Sequence, residues 1–267
     1  YTMVYGIIEL INFAHGDVFM VSSFFCFLLL LLLPVPFVAA LIIVMLATAI
    51  LGVALERLAY RPLRNAPRVS AIITALGCGL IIQNTTLSLS PYSQRMPELF
   101  VPVTWNFGGV TVSSLQLLII GVSVGLMIGL DFFIRRTRYG MAMRAIAQDR
   151  ITVPLMGIPV NTMIAMTFAI GAALGGAAGV LYASAYPVIS ATMGVLVGWK
   201  AFVAAVIGGI GSVRGAVLGA YVLGSVEVFT VTVLPSTYRD LVVYALLLVI
   251  LIFKPYGLLG RPAVQKV

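Results

Sequence analysis

His15 is the only histidine in the sequence, and the only cysteines are Cys26 and Cys78, both inside apolar runs. A lone imidazole with no cysteine or carboxylate set around it does not make a metal site, and the two thiols read as packing residues with no disulfide framework. His15 is expected to hydrogen-bond across a chain break with Asn12 or Asp17, and proton transfer is the minor alternative. The element Gly209-Ile210-Gly211-Ser212, taken with His15, invites comparison with a serine hydrolase. A nucleophile needs a base beside it, and nothing in the sequence puts one next to Ser212. A phosphate-cradling G-x-x-x-x-G-K-[ST] loop is absent: the lysines are Lys200, Lys254 and Lys266, and none follows such a glycine run. No catalytic residue, metal ligand or cofactor site is therefore assigned.

Glu227 is a different matter. It falls in an apolar run, where a carboxylate near a helix centre costs about 2.5–3.5 kcal/mol on insertion scales. Its helical face carries Ala216, Ala220, Gly224 and Thr230, which predicts that it points into protein or water. It is either a group lining or gating a pathway or a buried structural partner, and the sequence leaves both open. Two breaks add to this: Asn12-Phe13-Ala14-His15-Gly16-Asp17, and Gly208 through Gly215. Helix breaks at membrane depth persist only where protein or a watery cavity satisfies the freed backbone, and such breaks can line a transport path. Tight turns between helices are the other reading. Asn12, His15 and Glu227 are the pathway candidates.

The elements that must hold these residues are dictated by composition. The chain is 61% hydrophobic and 9% charged, with mean hydropathy +1.14, against about 25% charged for a soluble domain. A chain of this length cannot enclose that much apolar surface. Its runs are continuous and near 20 residues, enough for helices to cross about 30 Å of hydrocarbon, unlike the short alternating strands of a barrel. Breakers divide them into Tyr1–Phe13, Asp17–Leu33 (Asp17 as N-cap), Pro36–Glu56, Ser70–Ser90, Ser113–Ile134, Asn161–Ala185, Trp199–Ile210, Gly215–Leu234 and Asp240–Lys254. Trp199–Ile210 covers only about 18 Å and reads as a half-span. The prediction is an all-α polytopic transmembrane bundle with broken helices and about seven to eight membrane segments, residues 1–267 forming one domain.

The glycine triplets Gly121/Gly125/Gly129, Gly171/Gly175/Gly179 and Gly211/Gly215/Gly219 recur every four residues. Each should lie on one helix face and allow close backbone approach in lipid. The net charge of +8 does not imply nucleic acid, because the basic residues sit in short connections. Connections 57–68 and 135–158, the turn at Arg214 and the tail 254–267 hold 13 Lys/Arg, whereas Arg95, Lys200 and Arg239 are the only ones opposite. The positive-inside rule puts the first group, and the C-terminus, in the cytoplasm and the 91–110 loop outside. An inside N-terminus then requires one more helix before Tyr1. Within 135–158, Met141 through Arg150 carries small and charged residues at helical spacing and runs on to Gly157-Ile158-Pro159. A short cytoplasmic helix of this kind either docks a partner or is a solvated connection.

Tyr1 through Asp17 closely resembles the opening signature of the bacterial branched-chain amino-acid importer permeases of the Liv type. The resemblance continues in Glu56-Arg57-Leu58-Ala59-Tyr60-Arg61-Pro62-Leu63-Arg64, across Arg135–Ile158, in Lys200-Ala201-Phe202 with Gly208-Gly209-Ile210-Gly211-Ser212, and at Gly257 through Pro262. These blocks keep the family's order along the whole chain. The resemblance implies a subunit of an ATP-driven importer in the bacterial inner membrane, paired with a homologous second permease, two cytoplasmic ATPase subunits that bind ATP and magnesium, and a periplasmic binding protein. It also implies an additional N-terminal helix and a coupling segment over Arg144–Gly157, with Arg144, Ala145, Ala147, Asp149 and Gly157 at the ATPase. The 91–110 loop, read as a hairpin of Phe100–Trp105 and Val110–Ser113 around Asn106-Phe107-Gly108-Gly109, would meet the binding protein. The substrate would be branched-chain or other neutral amino acids, or urea and short amides. A self-sufficient secondary transporter is the rival, with Glu227, Glu9 and His15 as its only ionisable candidates.

Overall fold

The computed structural model describes residues 1–260 except Glu9, Asn65, Phe100, Val101, Gly109 and Ile151, and only the backbone of Ile8, Arg68, Phe107 and Val110. Glu9, the Phe100 and Gly109 positions of the expected hairpin, and Arg261, Pro262 and Lys266 of the tail thus lie outside the described residues. Ten α-helices are described: α1 (Thr2–Ile8), α2 (His15–Leu32), α3 (Phe37–Leu55), α4 (Arg68–Leu89), α5 (Ser114–Arg136), α6 (Arg138–Gln148), α7 (Val160–Ala185), α8 (Met193–Gly208), α9 (Val213–Val233) and α10 (Arg239–Phe253). Seven helical stretches among the described residues are long and apolar enough to cross a membrane: α2, α3 extended to Tyr60, α4, α5, α7, α9 and Ser236–Phe253. Prolines set several boundaries. Pro34 and Pro36 separate α2 from α3, Pro67 precedes α4, Pro187 follows α7 and Pro235 follows α9. The all-α polytopic bundle expected from composition is the observed architecture.

The chain divides into two compact units, residues 12–198 and residues 1–11 with those from Trp199 onward. In the larger, α2, α3 and α7 pack on small residues. A Cβ on Gly176 would run into Thr48 of α3, one on Gly179 into Ser22 and Ser23 of α2, and one on Gly52 into Ala172 and the Phe168 carbonyl of α7. The Ser23 hydroxyl donates to the Gly179 carbonyl at 3.0 Å, joining α2 to α7. Lipid tails are as apolar as leucine, so close packing and interhelical hydrogen bonds hold such helices together.

Four short strands lie in the connections: β1 (Gln94–Arg95), β2 (Thr104–Phe107), β3 (Val110–Ser113) and β4 (Val188–Ile189). β2 and β3 form a hairpin, but its first strand is Thr104–Phe107 and not Phe100–Trp105: Asn106 and Phe107, expected in the turn, pair with Thr111 and Val110. β1 pairs antiparallel with β4, and the Met96 N–H donates to the Pro187 carbonyl at 2.8 Å. The connections after α4 and after α7 thus lie at one end of this unit. At its other end Arg64 reaches Asn161 at the start of α7, so the basic connections 57–68 and 135–158 share an end, as their charge suggested.

Two glycine triplets depart from expectation. A Cβ at Gly121, Gly125 or Gly129 would meet no atom within 4 Å, and α5 buries none of its residues in this chain. Among the described residues nothing packs against that stripe. Gly211 precedes α9 instead of lying on its face, with a left-handed φ of 95°.

α8, whose residues from Trp199 on belong to the smaller unit, is not the expected Trp199–Ile210 but a 16-residue helix beginning at Met193. The apolar residues before Trp199 carry it, and it ends at Gly208. The turn to α9 is built on Gly209 and Gly211, whose φ values of 106° and 95° suit only glycine. The segment after α10 covers this turn: the Leu258 and Leu259 N–H groups donate to the carbonyls of Ile207 (2.8 Å) and Gly208 (2.9 Å).

Candidate functional site

A polar cluster surrounds the start of α2. The chain turns at Asn12–Ala14, with the His15 N–H donating to the Asn12 carbonyl at 3.1 Å. Asn12 is buried, and its side-chain oxygen accepts from the Tyr60 hydroxyl at 2.8 Å. The His15 imidazole lies against Gly175 of α7, where a Cβ would stand 3.1 Å from its Cε1. Asp17 is not the N-cap. The helix begins two residues earlier, Ala14 precedes it without a side-chain cap, and Asp17 lies buried in the first turn. The Asp17 carboxylate rests against Gly79 of α4, in space that a methyl group would fill.

Tyr60 arrives through a feature that sequence reading missed. α3 does not stop at Glu56 but continues as a π-helical turn over Glu56–Tyr60. This inserted turn aims Tyr60 at Asn12 and packs its ring, tilted by 52°, against Phe168 of α7 with centroids 4.9 Å apart. It also turns Glu56 inward. The Glu56 side chain is 1% exposed and is paired with Arg64, which donates as well to Asn161. π-turns in helices concentrate at functional sites, and the sequence marked this one only through the resemblance block Glu56–Arg64.

The connection between α5 and α7 is compact. Thr137 caps α6, accepting from the Gly140 N–H at 3.0 Å and donating to the Phe133 carbonyl at 2.6 Å. Met143 and Ile146 are buried, while Arg144 and Ala147 are exposed and Ala145 and Asp149 are half-buried. The Arg144 guanidinium donates to the Ile134 carbonyl at the end of α5. The Asp149 carboxylate accepts from the Thr152 N–H (3.1 Å) and hydroxyl (2.7 Å), which leads the chain into a 3₁₀ turn over Val153–Met156. Gly157 closes that turn at φ 77°, and Leu155 and Met156 stand exposed on it.

Glu227 belongs to an ion-paired group in the smaller unit. Lys200 of α8 donates to Glu227 at 2.5 Å and lies 3.2 Å from Asp240 at the start of α10. The buried residues of α9 are Gly215, Gly219, Leu223 and Thr230; of the stripe expected beside Glu227, Thr230 is buried, Ala216 and Gly224 are half-buried and Ala220 is exposed. Gly215 and Gly219 approach the backbone of α8 at Ala204 and Gly208, which sets the face that α9 turns to it. Ser212 caps α9, its hydroxyl oxygen accepting from the Gly215 N–H at 3.1 Å.

Seven apolar helices long enough to cross a membrane, several of them packed on glycine, define a multi-pass membrane protein. The family model described as branched-chain amino acid transport system / permease component matches residues 1–251, and the chain belongs to that family. It is 43% identical over 280 residues to the high-affinity branched-chain amino acid transport system permease protein BraD of Pseudomonas aeruginosa, covering 100% of this chain and 91% of that one. It is 41% identical over 285 residues to the corresponding LivH of Escherichia coli, with the same coverage of 100% and 91%. A probable branched-chain amino acid transport permease protein LivH of Methanocaldococcus jannaschii is 26% identical over 275 residues, covering 97% of this chain and 86% of that one. No solved structure matches.

Proposed function

We propose that this chain is the membrane-spanning permease subunit of an ATP-driven importer of branched-chain or related neutral amino acids. The observation that carries the reading is the 43% identity, over the full chain, to the high-affinity branched-chain amino acid transport system permease protein BraD. Residues 1–267 act as one permease domain in the bacterial inner membrane, with the C-terminus in the cytoplasm on the side of the basic connections. A homologous second permease completes the pathway. Two cytoplasmic ATPase subunits bind ATP and magnesium, and this chain holds no cofactor. A periplasmic binding protein delivers the substrate near the 91–110 loop.

Force enters through α6 and the 3₁₀ turn, with Arg144, Ala145, Ala147, Asp149 and Gly157 in the coupling segment. Support comes from the exposed Arg144, Ala147, Leu155 and Met156 on a segment whose Met143 and Ile146 anchor it inward. ATP binding can shift the permease only by its differential affinity for the two states. Asn12 and His15 at the start of α2, and Glu227 in its ion-paired group, line or gate the pathway. The test is uptake into vesicles carrying both permeases and the ATPases, with the binding protein added. Replacing Arg144 by alanine should leave membrane insertion intact but uncouple ATP hydrolysis from leucine uptake. Undiminished substrate-stimulated uptake refutes the coupling assignment, and gradient-driven uptake by this chain alone refutes the importer reading.

A further inference from the structure

Gln83 through Ser88 of α4 read Gln-Asn-Thr-Thr-Leu-Ser, five polar residues in six, within a helix that runs from Arg68 to Leu89. Their depth follows from length. The 14 residues 69–82, between Arg68 at the basic end and Gln83, cover about 21 Å of the roughly 30 Å of hydrocarbon. The next six residues make up the remaining ~9 Å, which places the polar stretch at hydrocarbon depth.

α4 packs into the chain through Ala71, Ala75, Gly79 and Thr86, all buried. Asn84 lies on the opposite face and is exposed, as are Thr85 and Ser88, while Gln83 is half-buried. The Thr86 and Ser88 hydroxyls donate to the helix's own carbonyls, at Ile82 (2.9 Å) and Asn84 (2.8 Å), a bond that apolar surroundings permit. Amides are harder to hide. Asn84 donates one N–H to the Leu80 carbonyl at 2.8 Å, which leaves its other N–H and its oxygen facing outward. Gln83 and Thr85 have no side-chain hydrogen bond among the described residues.

Hydrocarbon offers such groups no partner. A single neighbouring helix cannot cover them either, because consecutive side chains leave a helix about 100° apart. Gln83, Asn84 and Thr85 therefore point to three different sides, and water is the one surrounding that satisfies all three. Gly77, two turns before Asn84 on the same face, adds no bulk there, and a Cβ on it would meet no atom within 4 Å.

We propose that Gln83, Asn84 and Thr85 of α4 line the water-filled path through which the importer passes its substrate. This rests on the reading of the chain as an amino-acid permease, and adds to it a face that neither the helix breaks nor the ion pairs occupy. Amides and a hydroxyl both donate and accept, so they solvate the ammonium and the carboxylate of a zwitterion alike without holding either by charge.

The test uses the assembled complex of both permeases and the ATPases in lipid nanodiscs, with Cys26 and Cys78 of this chain replaced by alanine. Asn84→Cys and, in case it does not assemble, Thr85→Cys are treated with a membrane-impermeant cationic thiosulfonate. That reagent attacks the thiolate, which forms only where water reaches the sulfur. The control is Leu28→Cys, a 51% exposed position of α2 about as far from the same end of the bundle. Asn84→Cys and Thr85→Cys should be labelled several-fold faster than Leu28→Cys, and their rates should change several-fold when the ATPases are trapped with ATP and vanadate. Labelling no faster than at Leu28→Cys overturns the proposal, because the stretch then merely sits at headgroup level. No labelling at either position also overturns it, since the face is then dry and covered by protein. Rates that are equal in the resting and trapped states overturn it as well, because a transport path must open and close. If instead the cysteine-free complex, which keeps Gln83, Asn84 and Thr85, takes up no amino acid with its binding protein, the permease reading fails, and the two failures stay apart.

Discussion

Removing Arg64 tests the cluster at the start of α2 most directly. Glu56 is 1% exposed, and its carboxylate is bound by the Arg64 guanidinium, itself 17% exposed. Arg64→Ala leaves a buried carboxylate without its cation and releases Asn161 at the start of α7. Breaking a buried pair from one side costs about 3–5 kcal/mol, mostly as the penalty of the uncompensated charge. At roughly 2–4 °C per kcal/mol for a chain of this size, the melting midpoint should fall by about 6–20 °C. Glu56→Gln removes the charge that needs compensation and leaves Arg64 near solvent, so its cost should be nearer about 1–2 kcal/mol. The double variant should then melt above Arg64→Ala alone, because the amide no longer needs the guanidinium. The assay is a double-mutant cycle on the purified, detergent-solubilised protein with intrinsic fluorescence as the probe. Equal losses in the two single variants, or a double variant melting below Arg64→Ala, would refute the argument that a desolvated carboxylate is what Arg64 holds in place.

Other outcomes follow from the same geometry. Tyr60→Phe deletes one hydrogen bond and leaves the buried Asn12 oxygen unsatisfied, so stability should drop by about 1–3 kcal/mol in urea or thermal melts, and an unchanged melt counts against the pairing. Gly176→Leu drives a side chain into Thr48 and should abolish recovery of folded protein, whereas Gly125→Leu enters open space on α5 and should yield folded chain at wild-type levels, both read by size-exclusion chromatography. Lys200→Met strips Glu227 and Asp240 of their shared cation and should lower uptake with membrane levels retained, while Lys200→Arg should preserve most of it.

The resemblance of residues 1–17 and of the blocks after them pointed to the family, and the match over residues 1–251 agrees. The helices were legible because hydrocarbon length and backbone satisfaction leave so few solutions for apolar runs of this length. The second strand of the β2–β3 hairpin was legible, but the turn was placed two residues early, because Asn106 and Phe107 read as turn residues and pair in the strand. The site was less so. Asn12 and His15 stood out as polar residues in a break, but their partners did not, since Tyr60 reaches Asn12 from 48 positions away.

Local pattern therefore determined the solvent of this protein, the number and approximate bounds of its membrane helices, and which connections are basic. Each of these depends on neighbours within a few turns of one segment. Tertiary structure decided the rest: the π-turn that aims Glu56 and Tyr60 inward, the face that α9 turns to α8, and the cation assigned to Glu227. Those depend on which helix faces meet, and in lipid that is settled by the closeness of backbones at glycine and by hydrogen bonds between distant side chains, neither of which has a period in the sequence.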